Sequence, residues 1–139
     1  MNVLLIHQRI YESTGGRVGH RMLGIPCVLL HTTGRKSGQP RCNALVYAMD
    51  GEGFVLVASN GGSDKPPGWL FNVKADPACV VQLKTVKSPA TAHVVESGDE
   101  DYARLWDLVN AGNKNRYNGY QAKTTRPIPL VVVTPDAAG

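Results

Sequence analysis

The residues best suited to do chemistry lie together in the segment from Thr32 to Arg41, between two apolar runs. Its cations are Arg35, Lys36 and Arg41, its hydroxyl groups belong to Thr32, Thr33 and Ser37, and its glycines are Gly34 and Gly38. Cations and hydroxyls donate strong hydrogen bonds to anions, and glycine permits positive φ and close backbone approach. The segment therefore predicts a cradle for a phosphorylated cofactor. The alternative is a solvated hairpin tip whose charges keep a sheet soluble.

The spacing of residues excludes two other kinds of binding site. A P-loop needs a glycine directly before Lys-Ser, but Arg35 occupies that position and an apolar run precedes it. Nucleic-acid binding is not expected, because the basic residues do not alternate with aromatic residues on strands and no helix carries a row of Arg or Lys.

The composition is that of one globular domain. With 139 residues, 42% of them hydrophobic and 19% charged, the chain can bury a core and is not expected to be disordered. No apolar run has the length of a membrane span, so neither a signal peptide nor an anchor is predicted. Cys27, Cys42 and Cys79 are odd in number and scattered, which is typical of thiols in a reducing cytoplasm. Because the histidines also lack metal-ligand spacing, no metal is predicted.

Charge is distributed unevenly along the chain. Six basic residues face one acid up to Met49, and five basic residues face two acids from Tyr102 onward. Between Asp50 and Asp101 the sign reverses, with eight acids against four lysines. This pattern predicts a localised positive face for an anionic ligand or an anionic lipid surface.

The elements that must position the basic segment are predicted to be short antiparallel strands. Apolar, β-branched runs predict strands at 27–33, 43–49, 54–59, 78–83, 90–96 and 129–134. Asp50-Gly51 is a hairpin signal, and residues 84–89 are expected to connect a second hairpin. Helices are predicted at 2–13, 69–75 and 99–110, and the stretch 60–68 is rich enough in glycine and proline to form a functional loop.

About six strands with two or three helices predict a mainly β (α+β) fold. Closing the sheet into a small barrel with helices at its flank is the simplest way to protect the strand edges. We expect a single domain over residues 1–139, with an N-terminal helix within 1–14 and a tail at 135–139.

Five motifs in the same order resemble the deazaflavin-dependent nitroreductase family, from about Gly15 to Thr134. They are Leu29-Leu30-His31-Thr32-Thr33-Gly34-Arg35-Lys36-Ser37-Gly38, Ala44-Leu45-Val46-Tyr47, Val57-Ala58-Ser59-Asn60-Gly61-Gly62, Pro67-Gly68-Trp69, and Tyr120-Gln121 followed by Arg126-Pro127-Ile128-Pro129. The resemblance implies a split β-barrel that binds coenzyme F420. It also implies an oxidoreductase that uses the reduced form, F420H2, to reduce quinones, related enones or nitroaromatic compounds.

The resemblance gives the basic segment a specific ligand. F420 ends in a phosphodiester and an oligoglutamate tail, and the family likeness places this polyanionic end over Gly34 to Arg41. It places the deazaflavin ring along residues 57–62, with Ser59 near the reacting end. From the residues alone, 57–62 is an ordinary strand exit and Trp69 is a core residue. The cofactor-binding residues implied by the resemblance are Thr33, Gly34, Arg35, Lys36, Ser37, Gly38, Arg41, Tyr47, Ala58, Ser59, Asn60, Gly61, Gly62, Trp69 and Asn72.

Tyr117 and Tyr120 are three residues apart and share a face if this stretch is helical. Packing onto the barrel is the default role of such a pair. The resemblance instead has them line the acceptor cavity, so that Ser59, Tyr117 and Tyr120 become the predicted catalytic residues. Lys114 stands where family members often have another tyrosine, which puts nitroimidazole activation in question.

Two other functions are compatible with the same motifs. One is an F420-binding carrier without fast turnover, and the other is an FMN-binding barrel reductase. Three cations in one turn favour the longer polyanionic tail over a single phosphate. The apolar N-terminal helix beside a basic face predicts association with the inner face of a membrane, where a quinone-like acceptor could be met. A monomer and a homodimer both suit the composition.

Overall fold

The computed structural model describes residues 21–22 and 25–136. Its strands are β1 (Arg21–Met22), β2 (Ile25–Thr33), β3 (Pro40–Val46), β4 (Ala48–Asp50), β5 (Gly53–Val57), β6 (Ala78–Leu83), β7 (Val86–Val95) and β8 (Leu130–Pro135). Its helices are α1 (Gly68–Ala75), α2 (Tyr102–Ala111) and α3 (Arg116–Gln121), with a single 3-10 turn at Asn60–Gly62. The predicted helix at 2–13 and the end of the predicted tail lie outside the described residues.

All strand pairs are antiparallel, and the ladder runs β1-β2-β6-β7-β8-β5-β4, with β3 also paired to β2. Strand β2 is internal to the sheet, because Leu29, Leu30 and His31 pair with β3 on one side and with β6 on the other. Strands β3 and β4 lie at opposite edges of the sheet, follow each other in sequence and are separated only by Tyr47. The sheet therefore curls into a half-barrel whose two edges meet at this residue.

Strand β5 shows why the sheet has two buried faces. Phe54 and Leu56 point into an inner core that also contains residues of β2, β6, β8 and α1. Val55 and Val57 point the other way, into an outer core covered by α2 and α3. This alternation follows from the two-residue period of a strand. Helix α1 thus caps the inner core, and α2 with α3 cover the outer face.

The predicted mainly β fold is confirmed, although the described residues contain eight strands where about six were predicted. The predicted strand 43–49 is wrong in one respect, since it is interrupted at Tyr47, where the chain passes from β3 to β4. The expected connection 84–89 is also wrong. Lys84 adopts φ +56, which closes a two-residue turn and lets β7 begin at Val86.

The remaining predictions of local structure agree with the structure more closely. Gly51 has φ +60 in the turn between β4 and β5, as the Asp50-Gly51 hairpin signal requires. Helix α1 lies where it was predicted, and α2 begins at Tyr102 because Asp99 instead accepts a hydrogen bond from the Glu96 amide. None of the helices in the described part of the chain is long and apolar enough to cross a membrane.

Candidate functional site

The basic segment forms a tight turn between β2 and β3. The Gly34 amide donates to the Gln39 carbonyl and the Gly38 amide donates to the Gly34 carbonyl, each at 2.8 Å. The two glycines have different roles. Gly38 adopts φ +69, whereas Gly34 is needed for close approach, because a Cβ there would lie 2.7 Å from Ser37 Oγ. The segment is therefore a preformed turn that carries Arg35 and Lys36, and Arg41 follows it on β3.

Helix α1 fixes this turn at two points on Arg35. The Asn72 side chain, which is buried, accepts from the Arg35 amide at 3.1 Å and donates to Thr32 Oγ1 at 3.3 Å. The Arg35 guanidinium carbon lies 4.7 Å from the ring centroid of Phe71, within cation–π range. Both the backbone and the side chain of Arg35 are thus positioned by neighbouring residues of α1.

A cleft of about 330 Å³ opens between the turn, β3 and α1, and we call it the basic cleft. It is lined by Gly34, Arg35, Lys36, Ser37, Arg41, Asn43, Gly68, Trp69 and Asn72. None of its described lining residues is a carboxylate, and the ion pairs among the described residues involve none of its three cations. The amides of Lys36 and Ser37 also have no acceptor among the described residues. These groups make the basic cleft an anion site.

Most of the predicted anion-binding residues meet in the basic cleft, but two of them do not line it. Thr33 and Gly38 belong to the same turn and are exposed. Sequence reasoning missed Asn43 and Gly68, which complete the lining, and Phe71, which contacts Arg35. Asn43 follows Arg41 by two residues on β3, so the two-residue period of that strand was the available signal.

A second group of predicted residues forms the exit turn, residues 58–63, where the chain leaves β5. Ala58 and Ser59 are buried, and the Gly62 amide donates to the Ser59 carbonyl at 2.9 Å. Gly62 has φ +87, and a Cβ on it would lie 2.8 Å from the Tyr120 carbonyl oxygen. The exit turn therefore packs against α3 at a distance that only glycine permits.

Arg126 holds the exit turn from the other side. Its guanidinium donates to the Ser59 carbonyl at 2.8 Å, to the Ser63 carbonyl at 2.9 Å and, through both terminal nitrogens, to the Ala58 carbonyl at 3.3 Å. Burial lowers the pKa of Arg126, with Asp64 acting in the opposite direction. Sequence reasoning did not assign this arginine a role, although it opens the Arg-Pro-Ile-Pro motif.

The two predicted tyrosines lie next to each other on α3, with ring centroids 6.0 Å apart in an edge-to-face contact. Tyr117 is buried in the outer core, and burial is the main cause that raises its pKa to about 12. Tyr120 is half-buried, and Lys123 Nζ lies 5.7 Å from its ring centroid. Tyr117 is therefore a neutral phenol at physiological pH, and Tyr120 is the more accessible ring.

Trp69 is a buried residue of α1. It lines the basic cleft and packs in the same inner core as Ala58 at the start of the exit turn. Tyr47, also predicted to bind the cofactor, lies at the junction of β3 and β4 with its ring edge-on to Phe54 at 5.2 Å. In the described part of the chain no three His, Cys, Asp or Glu side chains are arranged to hold a metal ion.

Comparison with known proteins identifies the family. A family model described as F420H(2)-dependent quinone reductase matches residues 4–135. An F420H(2)-dependent quinone reductase of Mycobacterium tuberculosis is 48% identical over 135 residues, covering 96% of this chain and 91% of that protein.

Two solved structures also resemble the chain. One, described as a domain-swapped dimer, has a TM-score of 0.72 with 38% identity and covers 93% of this chain and 94% of its own. The other, an F420-H2 dependent reductase, has a TM-score of 0.69 with 39% identity and covers 78% of this chain and 93% of its own. The predicted split-barrel fold and the predicted family are thereby confirmed, and the chain belongs to the F420H(2)-dependent quinone reductase family.

Proposed function

We propose that this protein transfers a hydride from F420H2 to a quinone-like acceptor, with the cofactor's phosphodiester and glutamate tail held in the basic cleft. The observation that carries the proposal is the basic cleft itself, in which Arg35, Lys36 and Arg41 line one space and none of the described lining residues is a carboxylate. A ligand with several negative charges matches this donor set better than a neutral or singly charged one.

In this proposal the cofactor, when bound, supplies the hydride, and the protein supplies position and hydrogen bonds. Arg35 and Arg41 bind anionic oxygens, with Arg35 already oriented by Asn72 and Phe71. The exit turn, with the buried Ser59, accommodates the ring end, where the nearby glycines leave room for close approach. Trp69 connects the two ends and excludes water from the space between them.

The acceptor is proposed to bind beside Ser59 and Tyr120. A hydroxyl placed there can donate a hydrogen bond to an acceptor oxygen that gains negative charge. Because Tyr117 is buried and its pKa is raised to about 12, it contributes as a neutral hydrogen-bond donor and as the ring that supports Tyr120. Neither tyrosine needs to act as a base.

One experiment tests the proposed function directly. Purified protein is mixed with F420H2, reduced FMN or NADPH, menadione is added, and reappearance of the oxidised cofactor's absorbance is followed. Of the three reduced cofactors, we expect only F420H2 to be oxidised rapidly by menadione. Tight F420 binding with no turnover across a panel of quinones and nitro compounds would instead indicate a carrier. Preference for FMN would contradict the proposal.

A membrane-surface location is a separate part of the proposal, suggested by the quinone-like acceptor and by the basic residues near the chain's beginning. Co-sedimentation with vesicles of phosphatidylglycerol and phosphatidylcholine measures it. We expect binding to these anionic vesicles but not to vesicles of phosphatidylcholine alone. Absence of binding to both would contradict a membrane-surface location.

A further inference from the structure

We infer that Arg126 is a positioning residue for the reacting end of the site. It would hold Ser59 in place through the exit turn without itself contacting a ligand. The inference rests on the proposed function only in taking the exit turn as the place where the cofactor ring and acceptor meet.

The hydrogen bonds of Arg126 are concentrated on the exit turn. Three carbonyls of that turn, those of Ala58, Ser59 and Ser63, accept from one guanidinium over distances of 2.8 to 3.3 Å. Only arginine offers five donors in a rigid planar fork. A lysine or glutamine at this position would satisfy fewer of these carbonyls and would leave others unpaired.

The opposite end of Arg126 is tied to the helix that carries the tyrosines. Gln121, the last residue of α3, donates to the Arg126 carbonyl at 2.8 Å and accepts from the Ile128 amide at 3.0 Å. Thr124 adds a further bond, from its hydroxyl to Asp64 at 2.7 Å. Arg126 therefore connects the exit turn to α3, and the distance between Ser59 and Tyr120 depends on this connection.

The guanidinium carries a charge that no carboxylate neutralises at close range. Of the ion pairs between described residues, none includes Arg126. Its partners are carbonyl oxygens, and burial lowers its pKa. The side chain is half-buried and three carbonyls of the exit turn accept from it, so we assign its role to the geometry it imposes on that turn.

The first test needs no cofactor. Hydrogen–deuterium exchange is compared for the wild type, Arg126→Lys and Arg126→Gln, with Arg104→Gln as a matched control. Arg104 is an exposed arginine of α2 paired with Asp50, remote in its contacts from the exit turn. We expect the amides of Gly62 and Ser63 to exchange at least about tenfold faster in both Arg126 variants, and unchanged exchange in β7 and β8. Arg104→Gln should leave the exit turn unchanged.

The second test measures function in the same variants. We expect kcat with F420H2 and menadione to fall in the order wild type, Arg126→Lys, Arg126→Gln, by roughly 10- to 100-fold at the extreme, because small misplacement of reacting groups is costly. The dissociation constant of F420, measured by fluorescence, should change less than about threefold, since the basic cleft is intact. If Arg126→Gln does not fold, the lysine variant gives the result.

Unchanged exchange in the exit turn together with kcat within about twofold of wild type would overturn the inference. It would also be overturned if the kcat values of the two Arg126 variants fell only in proportion to the folded fraction of each protein. Failure of the proposed function is seen separately, as absence of F420H2 oxidation by the wild-type protein.

Discussion

The basic cleft and the exit turn are built by different means. In the basic cleft, Arg35, Lys36 and Arg41 are exposed, and one side of the turn is open to solvent. In the exit turn, Ser59 and Gly62 are buried, and hydrogen bonds of 2.8 to 3.3 Å together with a close approach to α3 hold the turn. Charge acts over several ångströms and tolerates small displacements, whereas a buried hydrogen-bonded turn does not. We therefore expect the cleft to determine affinity and the exit turn to determine rate.

The largest effect is expected from reversing charge in the basic cleft. Arg35→Glu combined with Lys36→Glu should weaken F420 binding about 1,000-fold, since each lost charge-assisted bond costs roughly 1–3 kcal/mol and the new carboxylates repel the tail. Fluorescence titration measures the affinity, and circular dichroism should show an intact fold.

The matched control for charge reversal is Lys84→Glu with Lys87→Glu at the turn between β6 and β7. Gln82 pairs with Leu29 and Val80 with His31, so this turn lies toward the end of β2 opposite to Thr33. F420 affinity should change little in the control. Equal loss in both double variants would mean that net charge, not the cleft, governs binding.

The next largest effect is expected at the exit turn. Gly62→Ala should lower the free energy of unfolding by about 3 kcal/mol, from left-handed strain of roughly 1–2 kcal/mol and a clash with the Tyr120 backbone. Gly61→Ala is the control, because Gly61 has φ +66 but a Cβ there meets nothing within 4 Å. It should cost only about 1 kcal/mol. Urea unfolding measures both values, and equal losses would show that α3 does not press on the turn.

A smaller effect is expected from Asn72→Ala. Its loss frees the Arg35 amide and Thr32 Oγ1 without removing a charge, so F420 affinity should fall about tenfold, equivalent to roughly 1.4 kcal/mol, while kcat at saturating F420H2 stays close to wild type. Steady-state kinetics separate the two parameters. A drop in kcat with unchanged KM for F420H2 would place Asn72 with the exit turn in its function.

The smallest effect concerns pH. The pKa of Tyr117 is raised from 10.0 to about 12 by burial, so the folded state resists ionisation that the unfolded chain undergoes. The contribution of Tyr117 to the free energy of unfolding is fully present below pH 10. It is lost as pH rises from about 10 toward 12, by roughly 1 kcal/mol at pH 11. The Tyr117→Phe variant should not show this loss of stability at high pH. Urea unfolding at pH 9 and pH 11 measures the difference, and equal losses in both proteins would show that Tyr117 is not protected.

Ionisation of the Cys79 thiol also lowers the free energy of unfolding at high pH, in the wild type and in Tyr117→Phe alike. Its pKa is raised to about 11, chiefly by burial and also by Asp136 and Asp76. It therefore cancels when the wild type is compared with Tyr117→Phe. Below pH 9 neither group titrates in the folded protein, and we expect no change of kcat that depends on the ionisation of Tyr117.

The basic cleft was easier to predict from sequence than the exit turn. The spacing of Gly34, Gly38 and three cations acts locally, within one turn, so the sequence pattern was sufficient. Arg126 acts over a separation of 68 residues to reach Ala58, and no periodicity signals such a contact. The contact between Arg35 and Phe71 is missed for the same reason. Which of these residues contact the cofactor stays a prediction.

The fold was predictable for a similar reason. Strands and hairpin turns depend on alternation and on glycine, so β2, β5, β6 and β8 were found close to their true positions. The break at Tyr47 was not, because the preceding and following residues continue the same apolar pattern. It lies where the chain passes from one edge of the sheet to the other, which depends on how all the strands are arranged in the half-barrel.

The strand order has a consequence for how the site comes into existence. Strand β5 pairs with β8, and β2 pairs with β6, so the closing ladders join segments about 50 to 80 residues apart in the chain. Loop closure over such distances is slow, and it must precede any assembly of the cleft with the exit turn. A partly folded chain therefore has no site to fill. Ligand binding is coupled to global folding, and a cofactor at 100 times its dissociation constant should stabilise the whole domain by about 2.7 kcal/mol.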